Sequence, residues 1–315
     1  MNVITRIVGR PLRQMGAVAC RLRYPESVIV MVDGGLASQV CKFAFGEWLS
    51  AKLDCAVMYD LSWFRTNGRD IRDDEARVFA FNEVFSTAKM IETDLETLRQ
   101  LHRYCRFSNP WPHVVLEPSL IQCPRYYDGY YMNSEYFQEQ EKRLRSLLKF
   151  DDQIKGSPRS LAWRERIASS PDPIAVHVRR GDFVGSIHDV TGPKYFRNAI
   201  AKAAGAGSTP GASRLFFFTT DPTYVTAEII PLLDREQEFE IIAGNDMTGS
   251  EDMYLMSLCK KFVISNSGFS WVAAWLSGSE GRVVAMPQKW FAIDNEMTRG
   301  SDTAFSLPGS ISIDS

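Results

Sequence analysis

The sequence has no long apolar run. Its longest apolar stretches, such as Val28–Val32 and Leu215–Phe218, are far shorter than the roughly 20 residues of a membrane-spanning helix, and none follows the basic N-terminus as a secretory signal requires. The six cysteines include no C-x-x-C pair and the chain has no N-x-[ST] acceptor, which disfavours a zinc site and N-glycosylation. These absences predict a cytoplasmic protein with reduced thiols.

Neither sign of charge is in excess, because 36 Lys and Arg residues oppose 38 Asp and Glu residues. The formal charge of -2 disfavours a nucleic-acid partner. The first 23 residues differ from this average, since they contain five arginines and no acidic residue. We therefore expect residues 1–24 to form a basic leader that holds the protein peripherally on the inner face of the cytoplasmic membrane.

Predicted strands and helices alternate along the chain, a pattern typical of βαβ units around parallel sheets. A Gly- and Pro-containing stretch at 151–173 divides this pattern. The sequence predicts two Rossmann-like α/β domains, at 25–155 and 172–315, that face a ligand-binding cleft. The polar segment from 66 to 112 is expected to be irregular. The predicted strands are Ser27–Val32, Tyr126–Met132, Ile174–Val178, Leu215–Thr219, Phe239–Ala243, Phe262–Ser265 and Arg282–Met286, and the predicted helices are Gln39–Leu53, Ser134–Phe150, Pro193–Ala204, Glu251–Lys260 and Phe269–Ser277.

Two adjacent arginines, Arg179 and Arg180, follow a buried strand in the segment His177-Val-Arg-Arg-Gly-Asp182. Guanidinium groups at a buried strand end are costly unless an anion meets them. That anion is either a pyrophosphate, which guanidinium groups bind bidentately, or an internal carboxylate such as Asp182. His177 either fills the core or takes part in the site.

A second cluster of small polar residues, Ser265-Asn-Ser-Gly268, lies between a predicted strand and the start of a helix. Such a segment binds anions through its backbone N–H groups, or it simply caps the helix. Glu251 and Asp252 occupy the first turn of another predicted helix, where capping accounts for acidic residues without a ligand.

Motifs for phosphate-binding loops and bound metals are missing. The segment Gly34-Gly-Leu-Ala-Ser-Gln39 fits neither G-x-G-x-x-G nor G-x-x-x-x-G-K-[ST]. No D-x-D occurs, and its nearest forms, Asp234-Arg-Glu236 and Asp294-Asn-Glu296, lie in segments with the composition of solvated surface. We expect no cofactor and no bound metal.

Four segments in order resemble the α-1,2-fucosyltransferases of glycosyltransferase family 11, from about Val32 to Trp290. The segment from His177 to Asp182 is similar to the H-x-R-R-G-D signature of that family. The other three are Gly34-Gly-Leu-Ala-Ser-Gln39 with Phe43-Ala-Phe-Gly46, Gly129-Tyr-Tyr-Met-Asn-Ser134 with Tyr136-Phe137, and Glu251 to Cys259 continuing through Asn266-Ser-Gly-Phe-Ser-Trp271.

This resemblance implies a GT-B type enzyme that transfers L-fucose from GDP-fucose to the 2-hydroxyl of a terminal galactose on a glycan, with inversion and without a metal. Arg179 and Arg180 would stabilise charge on the departing GDP. Asp182 would be the base that takes the acceptor proton. If Asp182 instead orients the arginines, Asp189 or His188 becomes the candidate base.

The resemblance also implies which residues contact the two substrates. Ala37, Ser38, Met132 and Asn133 depart from the family pattern, which leaves the acceptor and the linkage open. A related fucosyltransferase with another linkage or a protein acceptor is one alternative, and a sugar-nucleotide- or glycan-binding protein without turnover is another. The implied donor contacts are His177, Gly35, Gln39, Asp221, Asp252, Asn266, Ser267, Phe269 and Ser270, and the implied acceptor contacts are Ser38, Asn133 and Asp189.

Overall fold

The computed structural model describes residues 14–66, 68, 76–109, 114–206, 213–244, 249–278, 280–295 and 298–314. The chain divides into two compact units. The first contains the residues up to 82 together with 89–144, and the second contains 83–88 together with 145–315.

The first unit has a parallel sheet with the strand order β2-β1-β4-β3 among its described residues. Strand β1 is fully buried along most of its length, and the long helix α2 buries Val40, Phe43 and Trp48 at the spacing of a helix face. The strands are β1 (Val28–Met31), β2 (Val57–Asp60), β3 (Arg106–Asn109) and β4 (Arg125–Gly129), and the helices along this part of the chain are α1 (residues 14–23), α2 (Leu36–Leu53), α3 (Ser62–Thr66), α4 (Phe81–Val84), α5 (Leu95–Tyr104), α6 (Ser134–Glu139) and α7 (Glu141–Leu147).

The second unit has a larger parallel sheet, with the order β10-β9-β8-β5-β6-β7 among its described residues. Its central strands β5 and β6 are nearly continuous apolar runs because helices cover both faces of a parallel sheet. The strands are β5 (Asp172–Val178), β6 (Ser213–Thr219), β7 (Phe239–Ala243), β8 (Lys261–Val263), β9 (Val283–Pro287) and β10 (Ser310–Ile313), and the helices are α8 (Asp152–Gly156), α9 (Pro158–Ala168), α10 (Pro193–Gly205), α11 (Pro222–Tyr224), α12 (Gly249–Ser257), α13 (Gly268–Leu276) and α14 (Ser301–Ala304).

The strand order of the second sheet reverses between two neighbours. From β5 the chain adds β6 and β7 on one side, and it then returns to add β8, β9 and β10 on the other side. The first sheet reverses in the same way between β1 and β4. Open α/β sheets bind ligands at the carboxyl ends of the strands at such a reversal. The topology therefore predicts that ligands bind at the segments that follow β5 and β8 and at those that follow β1 and β4.

The predicted α/β class with parallel sheets is confirmed, but two expectations about local structure are wrong. The segment from 66 to 112 contains helix α5 and strand β3, and the short strand escaped detection because its sequence, Arg106–Asn109, is polar and half exposed at the sheet edge. The helix expected from 134 to 150 is two helices, since α6 ends at Gln140 with non-helical dihedral angles.

Two further predictions concern the boundary between the domains and the basic leader. The suggested boundary at 151–173 falls within the second unit, where α8 and α9 pack against α12. Residues 1–13 of the predicted leader lie outside the described residues, and residues 14–23 form α1, whose Cys20 is buried. Of the helices described, none is both long and apolar enough to cross a membrane.

Candidate functional site

The arginine pair leaves the carboxyl end of β5 at the reversal point of the second sheet. The β5–β8 ladder ends at Val176 and Val263. Beyond it, the side-chain hydroxyl of Ser265 links the segment after β8 to the segment after β5. That hydroxyl donates to the carbonyl of His177 (2.9 Å) and accepts from the backbone N–H of Arg179 (3.0 Å). Ser265 is completely buried, so the start of the arginine segment is firmly attached to the loop after β8.

Arg179 has an internal partner. Its Nη2 donates to Oδ1 of Asp182 at 2.5 Å, and its guanidinium lies 5.4 Å from the centre of the Phe183 ring. The turn that brings Asp182 back toward Arg179 passes through Gly181, whose positive φ of 55° suits glycine. Asp182 therefore orients Arg179, as the internal-carboxylate interpretation anticipated.

Arg180 is held differently. Its guanidinium lies 4.1 Å from the centre of the Tyr224 ring, and its Nη1 lies 3.7 Å from Oδ1 of Asp189. Its Nε atom is buried and has no hydrogen-bond partner among the described residues. A buried N–H donor of this kind is costly unless it is used. Arg180 is thus a fixed cation with a donor available to an anion.

His177 is a neutral core histidine beside the arginines. Burial, and secondarily the charge of Arg179, lowers the pKa of its imidazole from 6.5 to about 3. The ring packs 5.5 Å from the ring of Phe269 on α13, and Nδ1 has no partner within the described part of the chain. A neutral imidazole at this position adds no positive charge to the site but retains hydrogen-bonding capacity.

The loop after β8 places polar groups beside the N-terminus of α13. Asn266 donates through Nδ2 to the carbonyls of His188 (3.0 Å) and Trp290 (2.8 Å), while its Oδ1 is buried and unpaired among the described residues. Ser267 is the N-cap of α13 and makes no side-chain capping bond, and Ser270 donates back to the carbonyl of Ser267 (3.2 Å). The first turn of α13 therefore has the character of an anion site.

The two predicted acidic donor contacts lie in different settings. Asp221 follows β6 and accepts a hydrogen bond from the backbone N–H of Tyr224 (3.0 Å), so it positions the ring that supports Arg180. Asp252 lies on α12 and forms an ion pair with Arg159 of α9 at 2.7 Å. The structure thus brings Asp221, but not Asp252, into a chain of contacts with the arginine pair.

In the first unit, the predicted donor residues Gly35 and Gln39 lie at the N-terminus of α2. Gly35 is the N-cap and has open space around its Cα. The buried amide of Gln39 donates to the carbonyls of Gly34 and Val78 and accepts from two backbone N–H groups of 80–81. Backbone groups fill the hydrogen-bonding capacity of Gln39, which attaches the 78–81 segment to α2.

The predicted acceptor residues Ser38 and Asn133 follow β1 and β4, the strands at the reversal point of the first sheet. The amide oxygen of Asn133 accepts from the backbone N–H of Glu135 (2.9 Å). The hydroxyl of Ser38 lies 3.4 Å from Oδ1 of Asp33, and the same oxygen accepts from Nζ of the buried Lys42 at 2.8 Å.

Sequence reasoning missed the Asp33–Lys42 pair as well as Tyr224. The sequence does contain a signal for Lys42, because this charged residue interrupts the apolar residues of α2 at a buried position of the helix. A buried lysine needs a carboxylate partner, and Asp33 is the acidic residue at the end of the preceding strand. For Tyr224 the sequence contains no such signal, since its contact with Arg180 depends on the pairing of β5 with β6.

Comparison with known proteins identifies a family and several relatives. The model of the family described as glycosyl transferase family 11 matches residues 116–305. The O-antigen biosynthesis glycosyltransferase WbnK of Escherichia coli is 24% identical over 88% of this chain and 99% of its own length. An alpha-1,2-colitosyltransferase of Escherichia coli is 29% identical over 84% of this chain and 92% of its own.

A solved structure confirms the fold class. The fucosyltransferase NodZ from Bradyrhizobium superposes with a TM-score of 0.50, covering 79% of this chain and 92% of its own, at 16% sequence identity. At this level of identity the likeness concerns the fold alone. It supports the GT-B type architecture expected from the sequence.

The neutral state of His177 predicts a pH-dependent stability. The unfolded chain binds a proton at His177 below about pH 6.5, whereas the folded chain does so only near pH 3. The contribution of His177 to the free energy of unfolding is therefore complete above pH 6.5 and falls by up to about 1.4 kcal/mol per pH unit as the pH drops. Urea unfolding of His177→Gln between about pH 7 and 5 is expected to show a shallower dependence than the unmodified protein, and equal slopes would contradict the neutral imidazole.

Proposed function

The chain belongs to glycosyltransferase family 11, and we propose that it transfers L-fucose from GDP-fucose to the 2-hydroxyl of a terminal galactose on a glycan, with inversion. The observation that carries this proposal is Arg180. Its guanidinium is fixed by Tyr224 and Asp189 at the reversal point of the second sheet, and its buried Nε has no hydrogen-bond partner within the described ranges. A diphosphate leaving group is the kind of anion that such a group binds.

The names of related proteins support a deoxy-sugar donor, GDP as its nucleotide and transfer to a 2-hydroxyl. One relative is named as an alpha-1,2-colitosyltransferase and another as an O-antigen biosynthesis glycosyltransferase. NodZ, which shares the fold, is an α-1,6-fucosyltransferase that was crystallised with GDP. These names favour a GDP-linked 6-deoxy sugar donor and a 2-linked product. They also favour a colitosyl donor as the second candidate.

In the proposed reaction the second unit holds the donor and stabilises the leaving group. Arg180 donates to the diphosphate as negative charge develops on it, and Arg179, kept in place by Asp182, adds a second cation. The N-terminus of α13, with Ser267 and Asn266, presents hydrogen-bonding groups to phosphate or sugar oxygens. Because these groups are fixed before the donor arrives, little reorganisation is needed during transfer.

A pair of arginines supplies the charge stabilisation that a divalent metal supplies in other phosphate-transferring sites. We therefore propose that transfer needs no metal. On the acceptor side we assign contacts to Ser38 and Asn133, which lie at the carboxyl edge of the first sheet.

The base that accepts the proton of the acceptor hydroxyl is assigned to Asp189. Asp182 shares a 2.5 Å hydrogen bond with Arg179, so its carboxylate is committed to positioning that guanidinium. The Asp189 side chain is 38% exposed, and its contact with Arg180 is longer, at 3.7 Å. His188 is less suitable, because its ring is stacked on Phe183.

The proposed activity is tested by incubating the protein with GDP-fucose and galactose-terminated glycans in excess chelator. We expect a fucosylated product whose new linkage is located at the galactose 2-hydroxyl by NMR. A parallel incubation with GDP-linked colitose compares the two donors by their kcat/KM values. Loss of transfer in chelator that added magnesium restores would contradict the metal-free mechanism, and transfer to another hydroxyl would contradict the assigned linkage.

Replacing Arg180 with alanine removes one preorganised charge-stabilising donor. We expect Arg180→Ala to fold normally and to lower kcat/KM by roughly 100- to 1000-fold. Arg197→Ala, at an exposed position of α10, is the matched control and should retain full activity. Near-normal turnover of Arg180→Ala in steady-state assays would refute the assignment of this site.

The two aspartates are separated by steady-state kinetics of their asparagine variants. Asp189→Asn should lower kcat by about 100-fold or more, because the base acts on the acceptor, and it should raise the KM for the donor less than Asp182→Asn does, because its contact with Arg180 is the longer of the two at 3.7 Å. Asp182→Asn should instead raise the KM for GDP-fucose, since Arg179 loses its positioning partner. The reverse pattern would return the role of base to Asp182.

A further inference from the structure

Helices α1 and α5 form one surface of the first unit. Cys20 of α1 is buried, and its Sγ lies 3.8 Å from the carbonyl oxygen of Gln100 on α5. Gly16 faces the ring of Tyr104 so closely that an added Cβ would lie 2.3 Å from the ring. These contacts fix which side of α1 faces the protein and which side faces outward.

The outward side of α1 is an apolar stripe. Met15, Val18 and Leu22 are 68%, 57% and 81% exposed. Their spacing of three and four residues places them along one face of the helix. Single exposed apolar side chains are ordinary, but a stripe on a helix indicates a partner that covers it.

Exposed arginines lie on the same two helices, α1 and α5. Arg21 and Arg23 lie on α1 itself, and Arg99 and Arg103 lie one turn apart on α5, next to Tyr104. Arg23 pairs with Glu96 at 2.7 Å. The other three have no acidic partner in the described part of the chain. Their charge is available to an external anion.

We propose that this surface, formed by Met15, Val18 and Leu22 with Arg21, Arg99 and Arg103, binds the surface of an anionic lipid bilayer. The apolar stripe would enter the interface between headgroups and acyl chains while the arginines contact anionic headgroups. Residues 1–23 contain five arginines and no acidic residue, so the charge of this part of the sequence is also positive. A second copy of the chain is a poorer partner, because a two-fold contact through this face would bring like charges together.

Vesicle binding tests the proposal on the full chain. Sedimentation should recover the protein with vesicles of equal parts phosphatidylglycerol and phosphatidylcholine, and not with phosphatidylcholine alone. Arg99→Gln combined with Arg103→Gln should weaken binding to the anionic vesicles by roughly 30-fold. Serine at positions 15, 18 and 22 should weaken it by about 100-fold or more.

The matched control for charge is Arg197→Gln combined with Lys202→Gln, two exposed positions on α10 of the second unit, which should bind vesicles like the unmodified protein. All variants should keep their circular dichroism spectrum and their transfer activity toward a water-soluble acceptor. Equal binding to neutral and anionic vesicles, or equal loss in the control, would overturn the proposal. Self-association that the serine variant abolishes, without vesicle binding by the unmodified protein, would show a protein interface instead.

Discussion

The hydroxyl group of Ser265 joins the two strands between which the second sheet reverses its order. It bonds to the carbonyl of His177 and to the N–H of Arg179, just beyond the last pairing of β5 with β8 at Val176 and Val263. Because Ser265 is fully buried, losing its hydroxyl would cost about 1–3 kcal/mol for the buried carbonyl of His177 that it leaves without this donor. The direction in which both arginines leave the sheet depends on this contact.

Each group around Arg180 is itself held by a further bond. Asp221 caps the turn that carries Tyr224, and the N–H of Gly185 donates to the second oxygen of Asp189 at 2.8 Å. The guanidinium therefore has little freedom even before a ligand is present. Fixed dipoles and charges of this kind stabilise a developing negative charge without the reorganisation that water requires. The strand order thus leads directly to the chemistry proposed for the site.

The first sheet repeats this arrangement with different residues. After β1, Asp33 is held by the buried Lys42 and by Ser38, while the amide of Gln39 attaches the 78–81 segment to the start of α2. A buried ammonium group is retained only with a carboxylate beside it, so Lys42 and Asp33 depend on each other. The two units therefore place polar and charged residues at the same kind of position, the carboxyl edge of the strands at the reversal.

The sequence by itself determined the class of the fold, the central strands and the arginine segment, because buried parallel strands are apolar throughout and their ends carry the polar residues. It did not reveal β2, β3 or β10, which are short edge strands that pair with strands from other parts of the chain. Nor could the sequence show that Asp182 lies beside the arginine pair, bonded to Arg179, whereas Asp252 pairs with Arg159 away from it. Only the tertiary structure decided which partner each charge has, since local sequence sets the side chain but long-range packing sets what lies within hydrogen-bond distance of it.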